Sequence, residues 1–164
     1  AGVGTAGPAI VEDLPELDYL FCPVGGGSSA AGYCLTVGAV TDAAVIGAQS
    51  EDAPAVHRAW AEDTLEPHEK MDTFAEGVAT QVPFAMTTEV LREHLADFRL
   101  VSDEAIEQGV RELFHEDRIV MEGACATSLA AMDQLAEEIR GSTVVFPVSG
   151  RNIAPDTFEE LALE

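Results

Sequence analysis

Lysine is almost missing from this sequence. Lys70 is the single one among eight basic residues, which face thirty aspartates and glutamates for a net charge of −22. A surface of that sign repels nucleic acid and anionic membranes, so neither is an expected partner. The acids are spread over the predicted helices instead of forming one tail, which fits adaptation to a high-salt cytoplasm, where screening weakens the self-repulsion of carboxylates. Cysteine is scarce and odd in number: Cys22, Cys34 and Cys125 each sit among apolar or small residues. That setting suits buried free thiols in a reducing compartment and excludes a disulfide frame or a zinc site. His57, His68, His94 and His115 share no metal-ligand spacing with one another or with the cysteines, so each is expected to be partly exposed, and no metal is expected. No apolar run is long enough for a transmembrane span, and the opening AGVGTAG lacks the charged and apolar regions of a signal peptide. A cytoplasmic location is expected. An initiator methionine is lacking too, which suggests a fragment of something longer.

What is present suffices for one core: 164 residues, 47% of them hydrophobic. A helix is expected over 5–14, capped by Thr5 and closed by Pro15, followed by a buried strand over 18–22. A helix over 29–40, rich in small residues, leads to a strand over 44–48 that would lie parallel to the first. Further helices are expected over 53–61, 86–95, 103–114 (capped by Ser102) and 122–140. Strands are expected over 98–101 and 142–148, and a last helix over 156–164. Residues 62–77 have no apolar periodicity and read as an exposed loop leading to the active-site edge. The order of elements is that of an α/β fold, an open and mostly parallel twisted sheet flanked by helices.

The most informative stretch is PVGGGSSAAG, residues 23–32, between the first strand and the helix that follows. Gly25, Gly26 and Gly27 have no side chains to keep an anion from their amides, and the first N–H groups of a helix lack internal partners. Ser28 and Ser29 add hydroxyl donors. The spacing is neither GxGxxG nor GxxxxGK[ST], which disfavours a dinucleotide or nucleoside-triphosphate loop.

PVGGGSSAAG resembles the PVGGGGLxSG phosphate loop of the pyridoxal-phosphate enzymes of the threonine and serine dehydratase family. VIGAQSEDAPAVHRA (45–59), MDTFAEGVAT (71–80), MEGACATSLAA (121–131) and FPVSGRN (146–152) are similar to further stretches of that family, in the same order. The resemblance implies pyridoxal 5'-phosphate as cofactor, its phosphate on Gly25, Gly26, Gly27, Ser28 and Ser29. It implies Gly77 as a backbone wall and Ser149 as the hydrogen-bond partner of the pyridine nitrogen. A hydroxyl there leaves that nitrogen largely neutral, which weakens the ring as an electron sink and suits loss of a β-hydroxyl. Glu122 matches a glutamate beside the cofactor, a candidate for proton handling or for supporting the groups around it, although a helix-start carboxylate favoured by the macrodipole explains it at least as well. Arg151 stands where a glycine is usual; it could reach a substrate carboxylate or the cofactor phosphate, but a structural arginine is the favoured reading. Gln49 and Ala55 occupy positions where some relatives bind a divalent cation through acids, so that metal site is not expected.

The family attaches its cofactor to a lysine in an SxKxRG-type stretch that precedes the matched residues, and Lys70 corresponds to no such position. It reads as a surface charge. The resemblance therefore implies that residues 1–164 form the carboxyl-terminal part of the cofactor-binding large domain. The lysine-bearing strand and small domain would lie upstream or in a partner chain. The implied activity is conversion of threonine or serine to a 2-oxo acid and ammonia, in an enzyme expected to be a homo-oligomer. A sibling enzyme (serine racemase, threonine synthase or cysteine synthase) and a non-catalytic fragment are the alternatives.

Overall fold

The computed structural model describes residues 2–163. A short 3-10 turn (Gly2–Thr5) enters α1 (Ala6–Asp13), followed by β1 (Tyr19–Pro23), α2 (Ser28–Val40), β2 (Ala44–Ser50) and α3 (Ala55–Glu62). A long loop containing one 3-10 turn (Glu76–Val78) then leads to α4 (Ala85–His94), β3 (Asp97–Val101), α5 (Asp103–Asp117), α6 (Gly123–Gln134), β4 (Val144–Val145) and α7 (Pro155–Leu163). The strands form one parallel sheet in the order β3-β2-β1-β4. This is the α/β sheet with flanking helices that the sequence predicts.

Alternation along the strands divides the core in two, because successive side chains of a strand leave opposite faces. Leu20 and Cys22 of β1, Val45 of β2 and Phe98 of β3 pack with Ala30, Tyr33, Cys34 and Val37 of α2 and Leu91 of α4. Phe21, Ile46, Ala48 and Val101 point the other way, to Ile106, Val110 and Leu113 of α5 and to α6. Every residue of α6 from Gly123 to Ala131 is buried. The sequence predicted a buried stripe for this helix, but a helix that lies between a sheet and α5 must be apolar or small all round. All three cysteines are buried and free; burial pushes the Cys34 thiol up to about 11 and the Cys22 thiol still higher, so both stay protonated at neutral pH.

Several local expectations are corrected. Thr5 does not cap α1: it lies in the preceding turn with helical backbone angles, and its hydroxyl donates to the Gly2 carbonyl at 2.9 Å. The helix expected from residue 53 starts at Ala55, because Ala53 is held in a turn on Ser50 (3.1 Å) and Pro54 precedes the first turn. The helix expected to reach Arg140 ends at Gln134; Leu135 and Ile139 stay buried in a run of turns that closes at Gly141, φ 85°. Of the buried strand expected over 142–148, only Val144–Val145 pairs, and both residues are half-exposed. This is the sheet edge, and Pro147 has no N–H with which to extend the ladder. Ser102 does cap α5, its Oγ accepting from the Ala105 N–H at 3.2 Å.

Among the described residues no helix is long and apolar enough to cross a membrane. The ion pairs are exposed ones, such as Arg58–Glu62 at 3.1 Å and Arg140–Glu137 at 2.6 Å, and pairs of this kind contribute little. Most of the thirty acids therefore repel one another without a cationic partner. Thermal unfolding followed by circular dichroism is expected to show a broad, low transition in dilute buffer. The midpoint should rise by about 10 °C or more as salt reaches about 2 M and the screening length falls below about 3 Å. A cooperative transition at the same temperature in dilute buffer would exclude this dependence.

Candidate cofactor site

From β1 the chain moves outward to β2 and β3, then returns to the other side of β1 to form β4. At such a reversal the loops leaving two neighbouring strands diverge and open a crevice at their carboxyl ends. The loop after β1 carries Gly25–Gly27, and the loop after β4 carries Ser149. Together they line a cleft of about 160 Å³ with Ser28, Ser29, Gly77 and Glu122. Every site residue expected from the sequence thus borders one space. Pro23, Ala124 and Cys125 also border it; they lie within the stretches 23–32 and 121–131 that carry the resemblance but are not singled out there as site residues, and α6 brings the last two there from about a hundred residues away.

The glycine loop is shaped as an anion cradle. Gly27 has φ 82° and occupies the N-cap position of α2, a left-handed conformation open chiefly to glycine. Among the described residues the amides of Gly25, Gly26 and Gly27 donate to no protein acceptor, and the opening amides of α2 lack partners within the helix. A Cβ on Gly25 would collide with the Gly77 carbonyl oxygen, and one on Gly77 would lie 2.7 Å from the Ala124 Cβ. Two main-chain segments therefore meet with no room for a side chain. Ser28, which replaces the fourth glycine of the resembled loop, already belongs to α2, where a side chain is unstrained.

Glu122 precedes α6, but its side chain makes no cap hydrogen bond to that helix. Its carboxylate turns instead to the loop after β4, accepting from the Asn152 N–H at 3.0 Å, while its own N–H donates to the Gly150 carbonyl at 3.2 Å. A Cβ on Gly150 would collide with that carboxylate. Glu122 thus clamps the strand-end loop that carries Ser149. The only polar neighbour of the Ser149 hydroxyl among the described residues is the Cys125 thiol at 3.8 Å, so the hydroxyl is free to bond a ligand. A larger groove of about 620 Å³ shares Gly77, Glu122 and Ala124 with the glycine cleft and extends to Asn152 and Pro155. Arg151 is exposed and makes no ion pair among the described residues, which removes the support for a structural role.

Residues 1–150 match the family described as pyridoxal-phosphate dependent enzyme. The chain belongs to that family. It is 34% identical over 154 residues to the biosynthetic L-threonine dehydratase of Halalkalibacterium halodurans, covering 93% of this chain and 37% of that protein. The processed threonine deaminase isoform 2 of Solanum lycopersicum superposes with a TM-score of 0.92 at 25% identity, over 98% of this chain and 48% of that one. Serine racemase of Dictyostelium discoideum superposes at 0.83 with 26% identity, over 93% of this chain and 50% of that one. The chain thus spans half the length, or less, of these relatives.

The residues at the cleft fit the family's cofactor at its phosphate and its ring nitrogen. The glycine loop offers unpartnered amides to a phosphate, and Ser149 offers a free hydroxyl to a ring nitrogen. No lysine borders the cleft. Lys70 is exposed and ion-paired with Asp52 on the loop after α3, as expected of a surface charge.

A strap over residues 73–78 places Gly77 against the glycine loop, and polar side chains of the sheet edge hold it. Asp103, at the start of α5, accepts from the Ser50 and Thr73 hydroxyls at 2.7 and 2.8 Å and from the Phe74 N–H at 3.2 Å. At the other end the buried Gln49 donates to the Val78 carbonyl at 3.4 Å and accepts from the His57 N–H at 2.9 Å. Gln49 is thus committed to main-chain groups. Asp103→Ala leaves three donors without their acceptor and is expected to destabilise the chain by about 2–4 kcal/mol in urea unfolding at high salt. Gly25→Ala must displace the strap and is expected to weaken phosphate affinity by about tenfold or more in a titration; unchanged affinity would remove the close approach from the account of the cradle.

Proposed function

We propose that this chain is the carboxyl-terminal, phosphate-holding part of the large domain of a pyridoxal-phosphate-dependent ammonia-lyase that converts threonine or serine to a 2-oxo acid and ammonia. The observation that carries this reading is the single cleft shared by the glycine loop, Gly77 and Ser149. Gly25, Gly26, Gly27 and the start of α2 would hold the cofactor phosphate by their N–H groups, with the Ser28 and Ser29 hydroxyls beside them. Ser149 would donate to the pyridine nitrogen without protonating it. When bound, the cofactor draws electrons from the substrate α-carbon, so that the α-proton and then the β-hydroxyl can leave. Glu122 would keep the Ser149 loop in place through Asn152. The larger groove beyond Glu122 offers room for the substrate side of the reaction. The lysine that attaches the cofactor would come from a segment outside these residues, upstream or in a partner chain.

A racemase acting on serine is the second reading, favoured by the superposition on a solved serine racemase. The two share the site and differ in whether the β-hydroxyl is lost.

The deciding experiment adds pyridoxal phosphate to the purified chain at high salt, then records absorbance near ~410 nm, reduces with borohydride and maps the label by mass. The expected result is binding without a covalent adduct until a lysine-bearing segment is supplied, after which threonine yields a 2-oxo acid. Label at Lys70 would overturn the surface-charge reading of that residue. D-serine formed from L-serine without release of ammonia would favour the racemase.

A further inference from the structure

Thr87, in the first turn of α4, does not border the cleft, yet its Oγ1 donates to the Gly26 carbonyl at 2.7 Å, with the Phe84 carbonyl of its own turn at 3.1 Å as a second acceptor. The partners Thr87 and Gly26 are 61 residues apart. We propose that Thr87 is a positioning residue for anion binding: it holds the peptide plane between Gly26 and Gly27 so that the Gly27 N–H faces the cleft. The proposal rests on the reading of the glycine loop as a phosphate cradle.

The argument begins with the planarity of the peptide unit. In a trans peptide the carbonyl of one residue and the N–H of the next point in opposite directions. Fixing the Gly26 oxygen on α4 therefore turns the Gly27 N–H away from α4. The two dihedrals that would let this plane rotate belong to Gly26 and Gly27, which have no Cβ to resist rotation. A flipped plane would present a carbonyl oxygen to the anion in place of a donor, so an attractive contact would become a repulsive one. Nothing else among the described residues bonds either end of this peptide. Packing brings the tether close: a Cβ on Gly27 would lie 3.0 Å from Leu91 Cδ1 and 3.2 Å from Thr87 Cβ, and one on Gly26 would lie 3.1 Å from the Phe84 ring. One face of the loop is thus taken by α4 and the other is left to the ligand.

The test compares the whole chain with Thr87→Val, which keeps the shape and removes the donor, and Thr87→Ser, which keeps the donor. Thr87→Ala serves as the donor-free variant should valine disturb α4. Backbone ¹⁵N order parameters of the glycine amides are measured without ligand, and titrations use inorganic phosphate and pyridoxine 5'-phosphate, which lacks the aldehyde and so needs no lysine. The valine variant is expected to lower the Gly27 order parameter from about 0.85 to about 0.6. It should weaken binding of both ligands about tenfold, with a thermal midpoint close to that of the parent chain, whereas serine restores order and affinity to within about twofold of the parent. A valine variant with an ordered Gly27 and parental affinity would overturn the proposal, as would a serine variant no better than valine. Failure of the parent chain to bind either ligand would overturn the cradle reading itself, and the order parameters would still decide whether Thr87 holds the plane.

Discussion

The site depends on the contact between two stretches of main chain, the glycine loop and the strap that carries Gly77. A Cβ on Gly25 has no room beside the Gly77 carbonyl, and a Cβ on Gly77 has none beside Ala124. This close approach leaves the amides of the loop facing the cleft beside the Ser28, Ser29 and Ser149 hydroxyls and the Glu122 carboxylate. The surrounding polar architecture serves that contact: Asp103, Ser50 and Thr73 hold one end of the strap, Gln49 the other, Thr87 the far side of the loop, and Glu122 the loop after β4. Each of these side chains bonds main chain or another member of the set. Buried or half-buried polar groups satisfied in this way define one arrangement and exclude others.

The parallel sheet explains why these parts meet. The strands end at one edge, and the order β3-β2-β1-β4 separates the exits of β1 and β4. Helix α6 must approach the sheet closely enough to bring Gly123, Ala124 and Cys125 to that edge, and its run of small buried residues permits it. The acidic surface is independent of this core.

What the cleft holds and what it lacks are of equal chemical interest. The glycine-loop amides and the Ser149 hydroxyl are brought to one cleft in a chain whose residues 1–150 belong to the pyridoxal-phosphate-dependent family. Among the described residues no lysine borders the cleft, and Lys70 is exposed and engaged with Asp52. On the proposed reading, binding of the cofactor would fall to this chain and its attachment to a segment outside these residues.

The sequence by itself determined the α/β class, the strand–glycine–helix order at residues 19–40 and the residues that border the cleft, because each depends on short-range chemistry: apolar runs, glycines and helix starts, or on whole motifs. It misjudged what depends on surroundings. Hydrophobic residues at 142–148 read as a buried strand, but the edge position and Pro147 leave only Val144–Val145 paired. The readings left open for Glu122 were decided only by its contact with the Asn152 N–H, thirty residues away. Thr87 and Asp103 were not marked as site residues, since their roles rest on partners distant in sequence. Such contacts exist only after the sheet has formed and the helices have packed on it, so only the tertiary structure could decide them.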